Sequence, residues 1–492
     1  MLKTIKYISM EKMNITRLKG LIFAGTVFFL LTFGCVSLEE EPKDFPSPEN
    51  FYKTEQQVIS ALTGSMGRLY SQWGNYSYPW GAFHTDYNDN SNLVFQSSHN
   101  NWIWRAHYGA LAILNSVVEA LNEGKTEVTE AKKNELMGQA KFLRAFNYFS
   151  LVRGYGDVPI ITEETDVVGG EISRQPIADV YALILSDLQV AYDYLPEEWD
   201  ASLAGRPSKD AARALLAKVN LTMASAPLKD ASRLTDARRY ALEVMNNDKH
   251  SLVADVREVF AISNKLGPEF MFSFNATPDD IATPPQIWLP GTMAFGWSDF
   301  GLKREWTDVY PEQPRKDAYM ILEDWNGDPW EDWSWRGAPL LRKYVYNERE
   351  DMERLQSWPN IPLLRYADVL LMFAEADNLI NGGPTQDAVD AVNLIIDRAN
   401  DGVANPDHPR VTTGMSMAEF DAAVIQERCY ELFFEFDRWY DLVRKEILCE
   451  AFVDHADVYP NCDNNDYLWP IPQADLRLNE LMTQNPGYPT PD

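Results

Sequence analysis

QERCYELFFEFDRWYDLVR, residues 426–444, has the periodicity of one amphipathic helix. Leu432, Phe436, Trp439 and Val443 recur at helical spacing as an apolar stripe. Glu427, Glu431 and Glu435 lie four apart on a neighbouring face. Arg428, Arg438 and Arg444 stand three or four residues from carboxylates, the separation at which side chains pair along a helix. The spacing predicts a continuous core helix with a salt-bridged rim.

Working outward, the same helical patterning fills two blocks. The first runs over 55–247, with breaks near 74–101, 124–130, 154–174 and 196–207, and the second over 362–445. Short connections predict antiparallel helix pairs. Ala211, Ala212, Ala214 and Ala217 mark a face that admits close helix approach. Between about 250 and 360 the periodicity is lost and Pro, Gly, Asp and Trp become dense. A long irregular insertion of this kind is uncommon unless it is functional. The fold class is mainly α: one large helical body carrying an irregular, Trp-rich insertion.

Six blocks occur in a fixed order. They are Ser47–Tyr52 with the helical run 55–70, WRAHYGALAILN at 104–115, and QAKFLRAFNYFSLVRGYGDVP at 139–159. GRPSK at 205–209 and LRYADVLL at 364–371 running into Ala374-Glu-Ala376 come next. The last is the 426–444 stretch, with YLWPIP at 467–472 and QNPGY at 484–488. Together they resemble the SusD/RagB family of surface lipoproteins, which bind nutrients for a TonB-dependent transporter. The resemblance implies tetratricopeptide-like helix pairs, a SusC-like outer-membrane transporter as partner and an oligosaccharide ligand. No clean 34-residue period is present, so the repeat expectation comes from the resemblance alone.

The first residues read as an address. Lys12, Arg17 and Lys19 precede a 13-residue apolar run, Leu21 to Phe33, and then Gly34-Cys35. That run falls short of the ~20 residues of a membrane span. Cys35 after a small residue predicts a lipoprotein cleavage site and an acylated first residue. Leu31 lies one place early and Phe33 is bulky for such a site, and Met13 is an alternative start. The expected organisation is a signal peptide (1–34), an acidic tether with Glu39, Glu40 and Glu41 (35–46), and an N-terminal helical part (47–249). The insertion (250–360) and a C-terminal helical part (361–492) follow. In the family, acids just after the cysteine accompany export to the outer face, which implies an outer-membrane, cell-surface location by lipid anchor.

The net charge of −29 becomes about −33 without residues 1–34. Such a surface repels phosphate backbones and excludes nucleic-acid binding. With 45% hydrophobic and 12% aromatic residues, the chain is nevertheless no acidic disordered segment. Cys429 is expected to be buried and inert, and Cys449 and Cys462 are placed to close a small loop.

Seven of the 15 tryptophans sit within the 48 residues 288–335, which directs the search for a ligand site there. A tryptophan face can cover the C–H face of a pyranose ring. Hiding ~100 Å² at ~25 cal/mol/Å² contributes roughly 2.5 kcal/mol per ring. Two or three platforms, less ordering costs, imply a dissociation constant of about micromolar to millimolar. The candidates are Tyr76, Tyr78, Trp80 and Trp102 in one segment, and Trp288, Trp297, Trp325, Trp330, Trp333, Arg304 and Asn326 in the other. Of these, Trp80, Trp297, Trp325 and Trp330, flanked by Pro, Gly and Asp, are expected to be exposed. Trp104, Trp439 and Trp469 are expected to be scaffold. No cofactor is expected. The one metal the spacings admit is calcium, at Asp86 and Asn88 or at Asp324 and Asp328, although neither segment has Glu at the twelfth position. HExxH, G-x-S-x-G and phosphate-cradling glycine loops do not occur, so binding is expected rather than catalysis. The alternatives are an oligopeptide ligand, as in RagB-type relatives, and a surface glycoside hydrolase, whose two carboxylates need a separation that sequence does not show.

Overall fold

The computed structural model describes residues 51–73, 85–87, 97–165, 172–278, 288–293, 296–298, 301–333, 338–345, 348–354, 356–452 and 462–490. In chain order the first helices are α1 (Glu55–Trp73), α2 (Ser97–Asn122), α3 (Glu130–Tyr155), α4 (Ile177–Tyr194), α5 (Lys209–Ala224) and α6 (Leu234–Met245). Then come β1 (Phe270–Phe274), α7 (Arg304–Val309), α8 (Pro314–Tyr319), β2 (Met320–Ile321), β3 (Leu340–Leu341) and α9 (Glu348–Arg354). The chain continues through β4 (Ile361–Arg365), α10 (Tyr366–Asn381), α11 (Gln386–Ala399), α12 (Met417–Leu432), α13 (Arg438–Arg444), α14 (Leu448–Ala451) and α15 (Gln473–Leu478). The protein is mainly helical, with few and short strands.

Local chemistry marks the helix ends. The hydroxyls of Thr129, Ser208 and Thr385 accept backbone N–H bonds at the starts of α3, α5 and α11, and Ser416 and Glu419 form a reciprocal capping box at α12. Gly382 closes α10 at φ 68°, a left-handed position suited to glycine. Successive helices pack in sequence, α1 on α2 through α5 on α6, and α10 returns against α5, α6, α11 and α12. Helices α3 (from Leu136) and α10 (through Asn378) are buried on almost every side and form the centre around which the others lie. Residues Tyr52–Asp492 form one compact unit.

Aromatic contacts explain why the separated sequence blocks belong together. Trp104 of α2 meets Tyr155 at 4.8 Å between ring centroids, Tyr155 meets Trp469 at 5.5 Å, and Trp469 meets Trp439 at 5.2 Å. Gly154 is required by this stack, because a Cβ there would lie 2.8 Å from the Trp469 ring. These three tryptophans are scaffold, each at most 5% exposed.

The 426–444 stretch is not one helix. Helix α12 stops at Leu432 and α13 starts at Arg438. In the link, Phe434 and Phe436 adopt φ of 55° and 76°, conformations that cost a bulky residue of order 1–3 kcal/mol each. The break aims the acids in two directions; Arg444 still pairs along α13 with Asp441, three residues before it, but most of the ion pairs of the stretch are tertiary and buried. On one side, Glu269, Glu427, Glu431 and Glu435 meet Arg315, Lys343, Arg365 and Arg398, all of them buried. Glu431 is bound by Arg315 (2.9 Å), Arg365 (2.9 Å), Arg398 (2.7 Å) and the Tyr319 hydroxyl (3.0 Å). On the other side, Asp437 pairs with Lys218 and with Arg153 at 2.8 Å. Arg428 bridges Asp368 (2.6 Å) and Asp441 (2.8 Å), and Arg444 bridges Asp441 (2.9 Å) and Glu375 (2.7 Å). Burial opposes the charge on Glu431 and Glu375, but the surrounding cations win and hold both carboxyls well below the usual range.

β1, in the insertion, pairs antiparallel with β4, which lies at the start of the block expected to be helical, and β2 pairs with β3 inside the insertion. Cys449 and Cys462 are joined by a disulfide. Cys429 is buried, and burial pushes its thiol up to about 12.

Candidate functional site

The tryptophan-rich segment is organised by a tight turn. The carboxylate of Asp324 accepts the N–H groups of Asn326 (2.8 Å) and Asp328 (3.2 Å), and Gly327 at φ 83° lets the chain reverse. A bridge between Glu323 and Pro329 closes the turn, with the N–H of Trp330 donating to the Leu322 carbonyl at 3.0 Å. Trp325 and Asn326 stand at its tip, Asn326 exposed and Trp325 half-buried.

Two arginines lie over rings of this hairpin. The Arg304 guanidinium is 5.1 Å from the centroid of Trp330, and the Arg349 guanidinium, on α9, is 5.1 Å from that of Trp325. Arg304 is well exposed, and its nearest carboxylate among the described residues is Asp308 at 3.9 Å. Arg349 gave no signal in the sequence, where it sits within a run of mixed charges. A third pair, Arg354 over Trp358 at 5.2 Å, follows on the same helix and the segment after it.

Exposure divides the expected platforms. Trp297 is 45% exposed and Trp102, on α2, is 46% exposed. The exposure expected of Trp330 fails: its ring is 6% exposed, under Arg304. Trp333 is also buried, its indole N–H donating to the Asp328 carbonyl at 3.0 Å. Trp288 packs inside on Tyr344 and Phe434, with centroids at 5.4 and 6.4 Å. Trp330 and Trp333 serve as the floor of the face and Trp288 as interior packing, rather than as open platforms. Trp325, Asn326, Arg304, Trp330 and Trp333 are brought together around one hairpin, whereas Trp102 stands on a separate element. Tyr76, Tyr78, Trp80, Asn88 and Cys35 lie outside the described residues.

Two of the metal candidates, Asp86 and Asp324, have partners within the protein. Arg438 grips Asp86 with two nitrogens, one of them at 2.9 Å, and Asp324 is committed to the turn. Among the described residues, no group of three or more His, Cys, Asp or Glu side chains is arranged to hold a metal ion. No described helix is long and apolar enough to cross a membrane.

Two family models match the chain: the SusD family over residues 288–488, and the family described as starch-binding associating with outer membrane over 50–221. The chain belongs to the SusD/RagB family. The SusD-like protein P2 of Formosa agariphila is 29% identical to it, covering 94% of this chain and 98% of that protein. Among solved structures, a SusD superfamily protein from Parabacteroides distasonis superposes with a TM-score of 0.76 at 23% identity, covering 88% of this chain and 99% of its own. A laminarin-binding SusD-like protein superposes with a TM-score of 0.74 at 22% identity, covering 89% and 100%. The first SusD match begins at Trp288, so the tryptophan hairpin falls inside the SusD-matched region rather than outside it.

Proposed function

We propose that this SusD/RagB protein is a cell-surface lipoprotein that binds an oligosaccharide or polysaccharide and passes it to a SusC-like TonB-dependent transporter. Cys35 is its acylated residue and the outer membrane its location. The observation that carries the ligand class is the hairpin face: half-buried Trp325, exposed Asn326 and Arg304 over Trp330, with exposed Trp297 in the same segment. Apolar rings flanked by amide and guanidinium donors suit a sugar, whose hydroxyls need partners and whose C–H face needs cover. The family descriptions and the laminarin-binding relative support the same class. The reading assigns binding without turnover, and it assigns no cofactor.

The burial of Trp288, Trp330 and Trp333 favours one second reading, an oligopeptide ligand, because fewer flat platforms remain for sugars. The deciding experiment presents the soluble chain, begun after Cys35, to an array of plant, host and microbial glycans and to a peptide library. A glycan signal at about micromolar to millimolar affinity, weakened in Trp325→Ala and Trp297→Ala, is the expected result. Peptide binding with no glycan signal would replace the sugar assignment.

A further inference from the structure

Asp86 and Tyr87 belong to a short described stretch, 85–87, and reach three distant elements at once. The Asp86 carboxylate is held by Arg438, the first residue of α13. The fully buried Tyr87 hydroxyl accepts the N–H of Phe434 at 2.9 Å, in the strained link between α12 and α13. Its carbonyl accepts the N–H of Lys303 at 2.8 Å, directly before α7. Its ring lies 5.6 Å from that of Trp306, inside the same helix. No side chain caps the start of α7, so the Tyr87 carbonyl supplies a fixed point where the helix has none of its own. Arg304, which covers Trp330, is the first residue of that helix.

We propose that Asp86 and Tyr87 are positioning residues for the tryptophan face: gripped by Arg438 and Phe434, they set the start of α7 and with it the guanidinium of Arg304 over Trp330. The proposal rests on the reading that this face meets the ligand. Removing one partner of a buried charge pair leaves the other uncompensated, so the loss is felt where the clip ends. Truncating the Tyr87 hydroxyl strands the buried N–H of Phe434 in the same way.

The test is amide hydrogen exchange on the purified protein with no ligand present, comparing wild type, Asp86→Asn, Tyr87→Phe and the exchanged pair Asp86→Arg with Arg438→Asp. In Asp86→Asn, protection over 303–310 and 322–333 is expected to fall roughly 100-fold, with 386–399 on α11 unchanged. Tyr87→Phe is expected to give a smaller loss in the same peptides, and the exchanged pair a partial recovery. Unchanged exchange at 303–310, or an equal loss at 386–399, overturns the positioning role. The glycan array then reads the consequence. A wild-type glycan signal lost in Asp86→Asn supports the proposal, and an equal signal overturns it. Absence of any wild-type glycan signal refutes the sugar reading alone, because exchange is scored without a sugar.

Discussion

Replacing Glu431 by Gln should destabilise the protein far more than its size suggests. The side chain is fully buried and accepts from Arg315, Arg365, Arg398 and the Tyr319 hydroxyl. Glutamine keeps the shape, removes the negative charge, and turns an NH₂ group toward guanidinium donors. Breaking a buried ion group on one side costs about 3–5 kcal/mol. With an unfolding entropy of roughly 2.1 cal/mol/K per residue over the ~440 residues of Tyr52–Asp492, that corresponds to a Tm lower by about 3–5 °C. The control is Glu446→Gln, which removes an exposed pair with Lys229 and should cost less than about 1 kcal/mol. Calorimetry and urea unfolding at pH 7 read both variants. Because the cations around Glu431 overcome burial and hold its carboxyl well below the ordinary range, its stabilisation is complete above the unfolded carboxylate pKa. It is lost only as pH falls through the depressed folded value, so the gap between wild type and variant should persist at pH 5. Equal shifts in Glu431→Gln and Glu446→Gln would refute the assignment of stability to the buried group.

Trp330→Ala should lower stability by about 3–5 kcal/mol, the cost of emptying a buried aromatic site, whereas Trp297→Ala should leave Tm nearly unchanged and weaken glycan binding. Denaturation and binding curves on the two variants separate floor from platform. His107 is pushed down to about 4, chiefly by burial, with Arg153 adding and the Asn147 bond opposing. Its neutral form therefore supports the fold fully above the unfolded value near 6.5, and about 3 kcal/mol of that support is lost as pH falls from 6.5 to 4. His107→Gln should flatten this part of the stability–pH curve, as followed by urea midpoints. Reducing the Cys449–Cys462 bond, which closes a 13-residue separation, should release roughly 3 kcal/mol of loop-closure stabilisation, visible as a lower Tm in dithiothreitol.

The helical architecture was legible because it is local. Apolar spacing marks the helical blocks over 55–247 and 362–445 without knowledge of anything distant. The break at 433–437 was not, because the segment holds neither Pro nor Gly and its helical period runs on unbroken. Its cause is tertiary: Glu435 is needed by Lys343 and Arg365, and Asp437 by Lys218 and Arg153, in different directions. Strand β4 was hidden by Pro362, which argues against a strand except where a ribbon of two leaves an edge free. For the candidate site, the density of tryptophans selected a segment but not which of its rings are open to solvent. Composition does not tell Trp297, 45% exposed, from Trp330, which is buried, because burial is set by what packs on each ring in three dimensions and Arg304, over Trp330, comes from outside the hairpin.

The link between α12 and α13 has a further consequence, for cooperativity. Two residues apart, Glu435 belongs to the ion group that ties down the insertion through Lys343 and β4 through Arg365, and Asp437 to the one that ties down α3 and α5. Neither half can loosen without withdrawing a counter-charge from this pentapeptide, and a buried charge left alone is too costly for a partly open state to be populated. The segments that carry these counter-charges, Lys343 and β4 on one side and α3 and α5 on the other, are thereby made to melt together, although more than a hundred residues of chain separate Lys218 from Lys343.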